Sequence, residues 1–185
     1  MGHRSALLPF LAFLVLACPA FSQDLSLSTN VLDYVSGGTL NVNASWGIAR
    51  HFSVEAAVKY NPFSFGAGEN EWFNRQRSLS VGGRWWPWYR YSGWWASAAL
   101  RGQEYSVCKP GDRSSTEGNR YGAGIGAGHS FMLGKHFNLD VGAGLWAGYG
   151  VYSVYACQCC GRTVDEGSGF FILPSDLILS ISYIF

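Results

Sequence analysis

The chain carries little charge and almost no surplus of either sign. Thirteen Lys and Arg stand against twelve Asp and Glu, and charged residues fill only 14% of the 185 positions, against roughly 25% in an ordinary soluble domain. Without a basic excess there is no electrostatic footprint for nucleic acid, which is excluded as a partner. Long apolar runs are missing too. Beyond residue 22 no stretch reaches the roughly 18 apolar residues that a membrane-crossing helix needs. Helical periodicity of apolar residues is absent from the same region. The glycine-rich stretch at 121–130 is not a phosphate loop, because no helix follows it.

What is abundant is aromatic and small: 16% Phe, Trp and Tyr, and 24 glycines. Low charge, many rings and much glycine point to a tightly closed β structure or a lipid-facing one. Residues 1–22 read as a secretory signal, with His3 and Arg4 before the apolar "ALLPFLAFLVLA" (6–17) and a cleavage site after "AFS" (20–22). A competing lipoprotein box, "VLAC" (15–18), would place a lipid on Cys18. Pro19 directly after it favours ordinary cleavage, leaving 23–185 as one domain.

From residue 24 the sequence alternates apolar and polar with period two, the signature of a strand. In "TLNVNASWGI" (39–48), Leu40, Val42, Ala44, Trp46 and Ile48 share one face, opposite Asn41, Asn43 and Ser45. Segment 53–61 repeats the pattern, and further strands fit at 25–32, 76–86, 94–105, 121–133, 137–152 and 175–185. The links at 49–51, 87–92 and 134–136 are short, whereas those at 61–75, 106–119 and 153–174 are long. Eight strands with short turns on one side and longer loops on the other predict an all-β, eight-stranded antiparallel up-and-down transmembrane β-barrel. One internal echo, "GIARHFSVEA" (47–56) against "MLGKHFNLDV" (132–141), falls at two short turns and is attributed to convergent hairpin chemistry.

In such a barrel the apolar face points out and the ionic one in. The inward parity carries Glu55, Lys59, Arg84, Arg101 and Asp140, whose charges nearly cancel and are expected to form a lumen network. The opposite parity is almost free of charge. "RWWPWYRYSGWW" (84–95) crowds seven rings around a proline turn, and Trp and Tyr are at home where apolar and aqueous phases meet. Trp46, Trp85, Trp88, Tyr89 and Trp94 are therefore expected in a membrane girdle, with Tyr60 and Tyr121 at the opposite one. A stacking platform for sugars or bases is the alternative for these rings. Glycines at 122, 124, 126 and 128, and at 142, 144, 148 and 150, leave bare inner walls, and Trp86, Trp95 and Trp146 have the parity to fill them. That predicts a plugged lumen rather than a solute pore. The strand "LILSISYIF" (177–185), closing on Tyr183 and Phe185, resembles the signal read by the barrel assembly machinery.

Chemistry is sparse. "CQCCG" (157–161) and Cys108 supply four cysteines and three possible pairings. Disulfides among Cys108, Cys157, Cys159 and Cys160 that staple exported loops are the leading reading. Metal binding by Cys157, Cys159 and Cys160 and redox exchange are the alternatives. His129 and Ser130 adjoin, but strand parity sends them to opposite faces, and no acid is spaced beside His129; no catalytic residue and no cofactor is expected.

The chain resembles a Bacteroidetes outer-membrane family known as domain of unknown function 3575. The resemblance is carried by "LSTNVLDY" (27–34), "VKYNPFSF" (58–65), "RWWPW" (84–88), "YGAGIGAGHSF" (121–131), "HFNLDVGAGLWAGY" (136–149), "YACQCCG" (155–161) and "ILPSDLILSISYIF" (172–185). It implies an eight-stranded barrel, and members of the family are often encoded near fimbrial or adhesin components. Cys159 departs from the usual pattern and leaves the pairing of Cys157 with Cys160 open. The expected function is that of a non-porin barrel in the outer membrane of a Gram-negative bacterium, a structural or interaction protein accessory to fimbria or adhesin assembly. Its expected partners are outer-membrane lipid, the assembly machinery and surface or fimbrial proteins. The alternatives are a lipid-modifying enzyme and a soluble lipocalin-like carrier.

Overall fold

The computed structural model describes residues 24–35, 37–66, 72–108, 114–156 and 162–185. The alternating segments form strands β1 (Leu25–Asn30), β2 (Leu40–Ala49), β3 (Phe52–Asn61), β4 (Ser64–Phe65), β5 (Trp72–Trp85), β6 (Gly93–Cys108), β7 (Ser115–Met132), β8 (Phe137–Tyr155) and β9 (Thr163–Ile184), with one helical turn, α1 (Val31–Val35), after β1. Every pairing is antiparallel. β3 pairs with β5 and β9 pairs with β1, so eight strands close into a ring, with the two-residue β4 added at the top of β5.

The register shows how the ring closes. Partners run from Leu27 through Ala44, Ala56, Val81, Leu100, Ala123 and Ala147 to Ile172. Ile172 lies eleven positions from Tyr183, the residue of β9 that pairs with Leu27 itself. A stagger of about ten residues over eight strands corresponds to strands tilted by about 40°.

The wall is uneven. β2 and β3 have 10 residues each, whereas β7, β8 and β9 have 18, 19 and 22. β5 to β9 run beyond their expected bounds at the long-link end, so the long links shrink to 62–71, 109–114 and 156–162. The strand expected at 25–32 instead stops at Asn30, where α1 begins. β9 contains a bulge. Ala143 pairs with Leu177 and Leu145 with Pro174, so Ser175 and Asp176 together oppose Gly144, and Pro174, which has no N–H, stands at the irregularity as proline in a strand should.

The interior is filled at the short-turn end. There Trp86, Tyr91 and Trp95 form a buried cluster with Ile178 and Ile184 packed against it. Trp86 Nε1 donates to Ser53 Oγ at 3.2 Å. Within the turn from 86 to 92, Trp86 and Tyr91 are buried while Pro87, Trp88 and Tyr89 stay exposed. Tyr91 takes a left-handed backbone (φ 61°), which for a non-glycine residue costs on the order of 1 kcal/mol. What Tyr91 gains is a set of bonds. Its phenol lies 3.1 Å from the carbonyls of both Asp24 and Ser45, and its own carbonyl accepts from Asn138 Nδ2. Arg90 pairs with Asp24 on the same floor.

Candidate functional site

Inward-facing residues of β3, β5 and β8 meet just above this floor. Arg84 Nε lies 2.8 Å from Glu55 Oε1, and its Nη1 lies 3.5 Å from Asp140 Oδ2. The guanidinium sits 4.2 Å from the ring centre of Trp95 and 5.5 Å from that of Trp86. Paired carboxylates and aromatic faces thus surround the buried guanidinium. Asp140 also accepts from Ser130 and from Ser182, the latter at 2.9 Å. Higher up, Lys59 Nζ pairs with Asp33 of α1 at 2.7 Å. Arg101 donates to the carbonyl of Ser175 at 3.1 Å and lies over the ring of Trp146.

Between these groups is a cavity of about 130 Å³ with a mixed lining, polar at Asn41, Asn43 and Ser97 and apolar at Val42, Ala99 and Ile178. The buried cluster of Trp86, Tyr91 and Trp95 lies below it. The glycines on the facing wall give these rings room. A Cβ on Gly128 or Gly142 would stand 2.4 or 2.8 Å from Trp95 Cζ2.

Ser182 and Asn138 belong to this interior with the parity of Ser180 and Asp140, whereas Asp33 and Tyr91 escape a reading by alternation. Asp33 lies on a helical turn in what reads as a link, and Tyr91 in a turn whose neighbours point outward.

The internal echo has a structural counterpart. His51 O accepts the N–H of Trp86 at 2.9 Å while His51 Nδ1 lies 3.0 Å from Trp86 O. His136 does the same to Ile184, at 2.8 and 2.9 Å. Four residues beyond each His come Glu55 and Asp140, and their cross-strand partners are Ser45 and Ser130. β3 and β8 are four strands apart in the ring of eight. The two acids thus reach Arg84 from opposite walls. At the position equivalent to Arg84, the second half carries Ser182.

Outside the ring, Trp46, Trp85, Trp88, Tyr89 and Trp94 are all exposed, as are Tyr60 and Tyr121 towards the other end. Tyr183 lies on the outer face and packs edge-on against Phe137 and Phe185. Outward charge begins above Tyr60, with Arg77 paired to Glu104. His129 is on the outer face between Trp94 and Phe131, at ring distances of 5.1 and 4.4 Å, whereas Ser130 is buried inside. The two share no site. Among the described residues no group of three His, Cys, Asp or Glu could hold a metal. Cys108 is buried at the top of β6; Cys18 and the whole of 1–22, and Cys157, Cys159 and Cys160, lie outside the described residues.

A family model described as protein of unknown function (DUF3575) matches residues 7–185. No curated protein matches the chain.

Proposed function

The chain belongs to this family of unknown function, DUF3575, and from that premise we propose that it is a non-porin outer-membrane β-barrel acting as a structural or interaction protein. One observation carries the proposal: the ring is inside out. Its most deeply buried side chains include Arg84, Asp140 and a set of Ser and Asn, while Leu, Val, Ile and Phe crowd the exposed outer face. In water that outer surface would be a severe aggregation hazard. In lipid it is the required arrangement.

The dimensions support the same reading. Outward apolar and aromatic residues run from Phe52 to Tyr60 on β3 and from Phe137 to Tyr149 on β8. At about 2.5 Å of height per tilted residue these bands are roughly 20 to 30 Å tall, bracketing the ~25 Å band of outer-membrane barrels. Aromatic rings stand at both limits, with outward charge above the upper one. The aromatic floor and the small cavity support a plugged ring over a solute channel. A role alongside fimbrial or adhesin components rests on the family resemblance alone. His129 and Ser130, the adjoining pair weighed for a lipid-modifying enzyme, lie on opposite faces of β7.

The test is membrane insertion of the purified chain. Added to phosphocholine vesicles, it should float with the lipid, resist extraction by carbonate and migrate faster on a gel when unheated than when boiled. A chain that stays monodisperse without detergent and shows no such gel shift defeats the proposal. Crosslinking in native membranes with mass spectrometry then tests the fimbrial role, which fails if only assembly machinery is recovered.

A further inference from the structure

Among the described residues the upper half of β9 has a strand neighbour on one side only. β8 pairs with it as far up as Thr163, whereas β1 pairs only with Ser180–Ile184 and then turns away into α1. The backbone groups that face this gap can be identified. The N–H of Phe185 goes to Leu25 on β1, whereas that of Ile184 goes to His136 on the other flank. Odd residues below the bulge therefore face β1, and the extra bulge residue shifts the open-flank set above it to even numbers. Ile172, Phe170, Ser168 and Glu166 thus direct their N–H and C=O groups away from β8, to a flank where no described residue pairs with them.

The protein satisfies the lower part of this edge with specific devices. Asn30 donates through Nδ2 to Leu177 O at 3.1 Å and accepts the Leu179 N–H at 3.0 Å. Arg101 takes the carbonyl of Ser175, and Pro174 has no N–H to satisfy. The opposite edge of the tall sheet, at the top of β5, is covered by β4 through Ser64 and Phe65. Only Glu166–Ile172 is left without a strand, a device or a cover among the described residues, and exposed apolar side chains stand beside it: Phe170 at 91% and Ile172 at 77%.

We propose that this edge is a strand-addition site for an extended segment of another protein, about six residues long, with alternating apolar side chains and Lys or Arg at its end. The basic residues follow from Asp165 and Glu166, which are exposed at the top of the edge and take part in no ion pair among the described residues. The same two carboxylates argue against a second copy. Inserted in the membrane the same way up, a second copy would run its β9 parallel to the first and bring like charges together. The inference rests on the outer-membrane reading for which end of the ring meets a partner.

The probe is the peptide Lys-Thr-Val-Thr-Val-Thr-Val-Lys, added to the full chain in micelles or nanodiscs, with amide exchange followed by NMR. The amides of Glu166, Ser168, Phe170 and Ile172 should become protected on titration. Ser168→Pro removes one edge donor without touching the β8 ladder and should weaken binding about ten-fold. Ser168→Ala, which keeps the N–H, should leave binding unchanged, and replacing the terminal Lys by Glu should weaken it. Absence of protection at millimolar peptide overturns the site, as does equal binding by Ser168→Pro. Protection of these amides without peptide, rising with protein concentration, makes the occupant a second copy and also overturns the proposal. Vesicle insertion is read without peptide, so failure of the membrane reading is scored separately from failure of the edge.

Discussion

Replacing Arg84 by Met tests the logic of the interior most directly. Met retains much of the stem that packs between Trp86 and Trp95 but removes the one positive charge that, among the described residues, lies within 3.5 Å of Glu55 and Asp140. The relative exposures of the three side chains are 9%, 15% and 7%, so solvent screens what remains only weakly. Breaking a buried pair costs about 3–5 kcal/mol, because the partner charge is left uncompensated, and here two are left. Neutralising them as well, in Arg84→Met/Glu55→Gln/Asp140→Asn, should return stability to within about 2 kcal/mol of the parent, since a buried ion network and a neutral hydrogen-bonded one are nearly equivalent. The amide oxygen introduced at position 55 can still accept from Asn43, and the amide at position 140 can accept from one of Ser130 and Ser182 while its N–H donates to the hydroxyl of the other, because these two bond different oxygens of the parent carboxylate. The assay is reversible urea unfolding from micelles, followed by tryptophan emission, which Trp86 and Trp95 make sensitive to this layer. If the single variant lies within about 1 kcal/mol of the parent, or the triple variant is no better than the single, the charges are not held as argued.

Further outcomes concern the floor, the turns and the top of the ring. Burial pushes the Tyr91 phenol above its usual 10.0, outweighing the opposing effects of the Ser45 hydrogen bond and the Arg90 charge. The folded state therefore holds the proton more tightly than the unfolded one, and its stabilisation is full below about pH 10 and falls as pH rises through the Tyr91 titration. Tyr91→Phe should lack this alkaline component when unfolding midpoints are compared across pH. His51→Ala and His136→Ala should each cost about 1 kcal/mol in the same urea assay, for loss of one clasping bond. Gly128→Val drives a side chain into Trp95 and should destabilise by about 1–3 kcal/mol, with a shifted emission maximum. Peptide mapping without reductant should recover Cys108 bonded to a peptide containing 157–160; alkylation of all four mature cysteines in the unreduced, unfolded chain refutes the staple.

Strand faces were legible because each wall residue has a distinct solvent on either side, and period two records that difference directly in Val42 against Asn43 or Val58 against Lys59. The inward charges were legible for the same reason. The upper half of β9 was not. "TVDEGSGFF" has the polar, glycine-rich composition of a loop, and only the ladder with β8 makes it a strand. Nor was the turn around Tyr91, since a ring folded up into the interior through a left-handed residue leaves no periodic trace. The duplication of the His clasp was visible as words in the sequence, but its meaning depended on closure, which alone sets β3 and β8 on opposite walls.

A ring ten residues high on one side and twenty-two on the other has a front and a back. An evenly cut cylinder could turn about its axis without presenting anything new to its surroundings. This one has a bearing, like a weathervane, because its tall screen lies on a single azimuth. A molecule approaching from the low side meets the mouth, while one from the high side meets a sheet, so contacts made above the ring also fix how it is rotated.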